Sequence, residues 1–122
     1  MYLIDSDVLI DYLKGKDLIL KKIVGLEGGL WSTSIICVAE ILEGVPKKNG
    51  EMVRKMLKDM KVYEIDWMVA ETFARVRKDL REKGSLIENM DLLVASTCIA
   101  NNLVLITNNK KHFSRIKGLK IL

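Results

Sequence analysis

The sequence predicts an α/β fold: a single three-layer domain over residues 1–122, with a central, mostly parallel β-sheet flanked by helices. Three observations carry this. Short apolar runs alternate with amphipathic helical patterns along the whole chain. Leu103 to Ile106 is an uninterrupted apolar run of the kind that parallel strands bury on both faces. Polar side chains follow directly on the runs, as Asp5 does after the first and Asn108 and Asn109 after a later one. No internal repeat, low-complexity tract or domain-separating linker breaks the alternation.

In chain order, Tyr2 to Ile4 reads as the first strand and Val8 to Lys14 as a short helix stopped by Gly15. Ser6 or Asp7 can cap that helix. Asp5 is expected to need a partner such as a metal, because a carboxylate directly behind a buried strand is costly to desolvate. Asp17 can cap a second helix, Leu18 to Leu26, and Gly28 and Gly29 break the chain. Leu30 to Thr33 reads as the second strand. Ser34 to Glu43 reads as a helix closed by Gly44 and Pro46, with Ile35, Ile36, Ala39 and Leu42 on its buried side. Glu40 lies beside that side, either snorkelling to solvent at the core edge or facing a polar cavity. A polar connection, Lys47 to Asn49, leads to the amphipathic helix Glu51 to Met60, whose Met-rich face is core or partner interface.

Val62 to Ile65 is the third strand, Asp66 an N-cap, and Trp67 to Lys83 a long helix with Val69, Ala70, Phe73, Val76 and Leu80 inward. After a loop at Leu86 to Asn89, Asp91 opens the buried helix Leu92 to Ala100, closed by Asn101 and Asn102. The fourth strand, Leu103 to Ile106, delivers Thr107, Asn108 and Asn109 to its tip; Lys110 to Phe113 and a last strand, Leu119 to Leu122, follow.

A chain of 122 residues supplies one hydrophobic core. No apolar stretch reaches the roughly twenty residues of a membrane helix, and no basic leader precedes the first strand, so a cytoplasmic protein is expected. Cys37 and Cys98 lie among apolar neighbours and read as buried thiols, not as disulfide partners or metal ligands. The net charge of +4 permits a polyanionic partner, but 6% aromatic content gives no stacking stripe for single strands.

Three carboxylates stand in unusual places: Asp5 at a strand tip, Glu40 by the buried side of a helix, and Asp91 at the mouth of a buried helix. Asn109 adds an amide oxygen at another strand tip. Strand tips of a parallel sheet lie side by side, so these residues are expected to converge. Carboxylates crowded together repel unless a divalent cation joins them, and hard oxygen ligands suit Mg²⁺ or Mn²⁺. Such a site can hydrolyse a phosphodiester.

These residues resemble a known family. The opening LIDSDVLIDYL, the trio Glu40, Ile41 and Gly44, the run Asp91 to Ser96, and the close LITNNKKHF are similar, in order and spacing, to the motifs of PIN-domain proteins of the VapC-type toxin ribonuclease group. The resemblance implies a metal-dependent endoribonuclease acting on RNA, with Asp5, Glu40 and Asp91 as ligands of Mg²⁺ or Mn²⁺. It implies Ser6 and Thr107 as supporting hydroxyls, with Asp7 beside them, and a VapB-type antitoxin as partner. Asn109 falls where many members carry a fourth Asp, which bears on a second metal ion, and His112 is read as structural. The Met-rich helix adds the expectation of a homodimer. Two other functions fit parts of the chain. One is a catalytically impaired PIN-fold RNA-binding or scaffold protein, on the strength of Asn109. The other is a haloacid-dehalogenase-like phosphatase, whose Asp-x-Asp opening DSDVL imitates but whose late lysine and acidic pair are missing.

Overall fold

The computed structural model describes residues 1–16 and 31–122. The expected cap Asp17, the helix Leu18 to Leu26 and the break at Gly28 and Gly29 lie outside the described residues. The elements are β1 (Tyr2–Ile4), α1 (Ser6–Leu13), β2 (Ser32–Ser34), α2 (Ile35–Gly44), a 3₁₀ turn (Lys47–Asn49), α3 (Gly50–Asp59), β3 (Lys61–Tyr63), α4 (Trp67–Glu82), α5 (Asn89–Ala100), β4 (Val104–Ile106), α6 (Lys110–Phe113) and β5 (Lys120–Ile121).

Every strand pairing is parallel. β4 lies between β1 and β5, with Leu3 opposite Leu105 and Ile4 opposite Ile106. β2 pairs with β3, and the Thr33 hydroxyl ties this pair to β1 by donating to the Ile4 carbonyl at 2.7 Å. The strand tips therefore share one edge, where Asp5, Ser34 and Thr107 emerge side by side.

Successive strand residues point to opposite faces, and both faces are covered. Leu3 and Leu105 join Val76, Leu80, Leu92, Ala95, Cys98 and Phe113 in one core; Ile4 and Ile106 join Val8, Leu9, Ile41, Val53 and Leu57 in the other. Each such fully buried aliphatic side chain contributes about 1.5–3 kcal/mol. The result is an α/β fold of three layers, with α4 and α5 on one side of the sheet and α1 and α3 on the other.

α2 departs from its expected phase. Its buried residues are Cys37 and Ile41, while Ile35 and Ala39 are exposed. The physical reason is that α2 straddles the two cores: Cys37 packs in one and Ile41 in the other, so no single apolar stripe marks its inward side. Ala70 of α4 is likewise exposed, with Val69, Thr72, Val76 and Leu80 forming the inward row. Asp66 caps α4 as expected, accepting from the Val69 N–H at 3.0 Å, a bond worth about 1 kcal/mol. Gly84 follows the helix with φ +65°, a left-handed conformation that glycine adopts without a Cβ penalty. α5 begins at Asn89, earlier than expected, so Asp91 is its third residue and not its cap.

Candidate active site

Asp5 is only 6% exposed. It stands at the N-cap of α1, where Oδ1 accepts from the Ser6 N–H at 2.9 Å and from the Cys37 thiol at 3.7 Å, and Oδ2 accepts from the Thr107 hydroxyl at 2.8 Å. Its protein partners are therefore three donors, and capping and burial coexist at one carboxylate. The cap of α1 is therefore Asp5, where Ser6 or Asp7 was expected.

Thr107 links the two halves of the site. Its hydroxyl also accepts the Asn109 N–H at 3.1 Å and lies 3.5 Å from Asp7 Oδ2. Asp7 accepts from the Asn108 N–H at 3.5 Å, and Asn108 reaches Asp11 at 2.9 Å. From α2, Glu40 accepts from the Ser6 hydroxyl at 3.2 Å, so the residue between the two aspartates of the opening motif holds the distant glutamate. Glu40 is half-buried.

Asp91, half-buried in the first turn of α5, has Oδ2 at 3.1 Å from His112 Nε2. His112, read from sequence as structural, thus contacts a candidate ligand; its place three residues after Asn109, on the helix at the β4 tip, was the available signal. Asn109 itself is exposed, and its side chain makes no capping bond to α6.

Cys37 was also passed over. Among the described residues, one group of three potential metal ligands has its donor atoms all within 4.8 Å of one another: Asp5, Cys37 and Glu40. Cys37 and Glu40 are three apart on α2, the spacing that puts side chains on one helical face, and this could have been read in advance.

The electrostatics are those of an acidic cleft. Burial raises the Asp5 carboxyl above its ordinary value, opposed by the Thr107 and Ser6 bonds and aided by the Asp91 charge. Asp7 is pushed up to about 6 by burial and then by the Asp5 charge. Glu40 is raised by burial and by the charges of Asp5, Asp91 and Asp7; Asp91 is raised by burial, with His112 opposing. Four carboxylates that disfavour one another's charge form a donor set that fits a divalent cation, whose charge would relieve them all.

A model of the PIN domain matches residues 2–119. The chain belongs to the PIN domain family. This PIN domain is 37% identical over 122 residues to Ribonuclease VapC1 of Methanocaldococcus jannaschii, a match covering 98% of the chain and 85% of that protein. It is 25% identical over 125 residues to the tRNA(fMet)-specific endonuclease VapC of Salmonella typhimurium, covering 98% of the chain and 95% of the relative. Among solved structures, DNA-bound VapBC from Salmonella typhimurium superposes with a TM-score of 0.90 at 25% identity. VapBC2 of Rickettsia felis, bound to a promoter DNA fragment, superposes at 0.88 and 26%. Each superposition covers 99% of this chain and 96% of the other. The PIN domain is homologous to VapC ribonucleases, which sets the phosphatase reading aside. Among the described residues no helix is long and apolar enough to cross a membrane.

Proposed function

We propose that this PIN domain is a VapC-type endoribonuclease, the toxin of a VapBC pair, in which Asp5, Glu40 and Asp91 hold Mg²⁺ or Mn²⁺. The observation that carries the reading is a cleft in which buried Asp5 and half-buried Glu40 are bridged through Ser6, both carboxyls raised by burial and Glu40 further by the Asp5 charge. The cation supplies Lewis-acid charge that eases deprotonation of water and steadies the leaving oxygen of the phosphodiester.

The chain's own residues prepare the place. Thr107 and the Ser6 N–H fix both oxygens of Asp5, while the Ser6 hydroxyl fixes Glu40. Such outer contacts lock ligand orientation before binding, so little reorganisation remains for the reaction. His112 holds Asp91 in the same way. Asp7, beside Asp5 and Thr107, adds negative charge to the cleft without joining the tight ligand group.

Two apolar grooves support the partner readings. One of ≈ 320 Å³, lined by Ile10, Leu13, Ile41, Val45, Met52 and Val53, runs between α1, α2 and α3 and suits an apolar antitoxin segment; Met52 is 63% exposed along it. The other, ≈ 430 Å³ and lined by Ile35, Val38, Leu42, Leu57 and Val62, suits a second copy of the chain. Partly exposed apolar surface of this kind is commonly covered by a partner. Sedimentation should give a dimer at micromolar concentration; a clean monomer overturns that part.

The test is cleavage of structured RNA by purified protein. Chelator should abolish it and Mn²⁺ or Mg²⁺ restore it, and Asp5→Asn or Asp91→Asn should lower turnover by roughly a hundredfold or more. Full activity in excess chelator, or in Asp5→Asn, overturns the assignment. RNA binding without cleavage would favour the impaired-binder reading that Asn109 suggests.

A further inference from the structure

We infer that Cys37 converts this carboxylate site into one that also captures thiophilic divalent cations, Zn²⁺ or Cd²⁺, through the Cys37 sulfur together with Asp5 and Glu40. The inference rests on the metal-site reading above and goes beyond it in naming a sulfur ligand and a class of competing ion.

Geometry is the first ground. Ligands arranged tetrahedrally on one ion at about 2.0–2.3 Å lie about 3.3–3.8 Å apart. The donor atoms of Asp5, Cys37 and Glu40 already lie within 4.8 Å of one another, so side-chain shifts of no more than about 1 Å bring them onto one centre. Position is the second. Cys37 Sγ donates to Asp5 Oδ1 at 3.7 Å and accepts from the Ser34 hydroxyl at 3.2 Å, so the thiol is built into the support of the carboxylate and is not a bystander in the core. Backbone constraint is the third. Ser34 caps α2 by accepting the Cys37 N–H at 3.1 Å, which fixes the helical turn that carries Cys37 and, three residues on, Glu40.

Chemistry then separates two classes of ion. Mg²⁺ and Mn²⁺ take oxygen ligands and leave the thiol as a hydrogen-bond donor to Asp5. A soft ion binds thiolate strongly enough to displace its proton: the S–H bond breaks, the proton passes to solvent, and an Sγ–metal bond forms with no change of oxidation state. Asp5 loses one donor and gains a cation. Zn²⁺ or Cd²⁺ held this way competes with Mg²⁺ or Mn²⁺ for Asp5 and Glu40.

The experiment uses the full chain, reduced, metal-free, and titrated with Cd²⁺. A sulfur-to-cadmium charge-transfer band should rise in the ultraviolet to one equivalent. ¹¹³Cd NMR of the unmodified protein should show a resonance downfield of an all-oxygen site. Cys37→Ser should abolish the band and weaken Cd²⁺ binding by about tenfold or more, while Cys98→Ala should keep both; Asp5→Asn should weaken binding and leave the band at saturation. Circular dichroism confirms that each variant is folded. Cd²⁺ binding with no thiolate band, a band that survives in Cys37→Ser, or an affinity unchanged in Asp5→Asn overturns the inference. Mn²⁺-dependent RNA cleavage, measured separately, reports on the nuclease reading, so either result can fail without the other.

Discussion

Replacing Thr107 by valine removes a single hydroxyl from the base of the cleft while conserving shape. Thr107 is 3% exposed, and its hydroxyl donates to Asp5 Oδ2 at 2.8 Å, so water cannot take over the bond. A buried hydrogen bond to a charged group contributes about 1.5–3 kcal/mol. For a chain of this size, melting temperature moves by about 4 °C per kcal/mol, so metal-free Thr107→Val should melt about 6–12 °C lower near neutral pH. The loss must depend on pH. Asp5 has a folded-state pKa raised above its ordinary value, and without Thr107 that pKa rises further. The penalty is therefore full while Asp5 is ionised in the folded state and fades as pH falls through its folded-state pKa. Calorimetry in chelator over a pH series from neutral into acid checks this. A difference as large in acid as at neutrality, or none at neutrality, would refute the argument that the hydroxyl serves the carboxylate.

Three other outcomes follow from the same contacts. Asp7, pushed up to about 6, weakens the metal-free fold above that pH and ceases to do so as pH falls below its unfolded value; Asp7→Asn should flatten that part of the stability profile, measured by denaturant unfolding. His112→Ala frees Asp91 Oδ2 and should weaken Mn²⁺ binding by about 10–100-fold in an electron paramagnetic resonance titration; unchanged affinity would show that Asp91 needs no support. Asn109→Asp should tighten Mn²⁺ binding in the same titration, since a hard ion gains from an added anionic oxygen; weaker binding would place residue 109 outside the ion's reach.

The layered fold was legible because β4 and α5 are apolar almost throughout, and only an element covered on both sides reads that way. Ile4, Asp5 and Ser6 likewise announced a strand tip. α2 was misphased for a physical reason: Cys37 and Ile41 serve different cores, so a single-stripe expectation held for Ile36 and Leu42, which pack against the two cores, and failed for Ile35 and Ala39. The carboxylates could be singled out one by one, since each sits where burial is costly. Ser6 and Thr107 were named as supports only through the resemblance, and which acid each one holds was not legible. That Ser6 reaches Glu40, and that Thr107 reaches Asp5 across 102 positions, depends on strand order, which spacing along the chain does not encode. Asp5 was expected to require a cation, and the structure shows it satisfied by three protein donors, so its burial by itself does not demand a metal.

The pairing of β1 with β4 also sets a timetable for synthesis. β1 finds its central neighbour only once residues 104–106 have been made, and Asp5 meets Thr107 one residue later. Contacts this far apart in sequence form late and slowly. A nascent chain thus carries Asp5 and Glu40 without the scaffold that aligns them until β4 is made. The edge that gathers Asp5 and Thr107 is therefore missing from any nascent chain that has not yet reached β4.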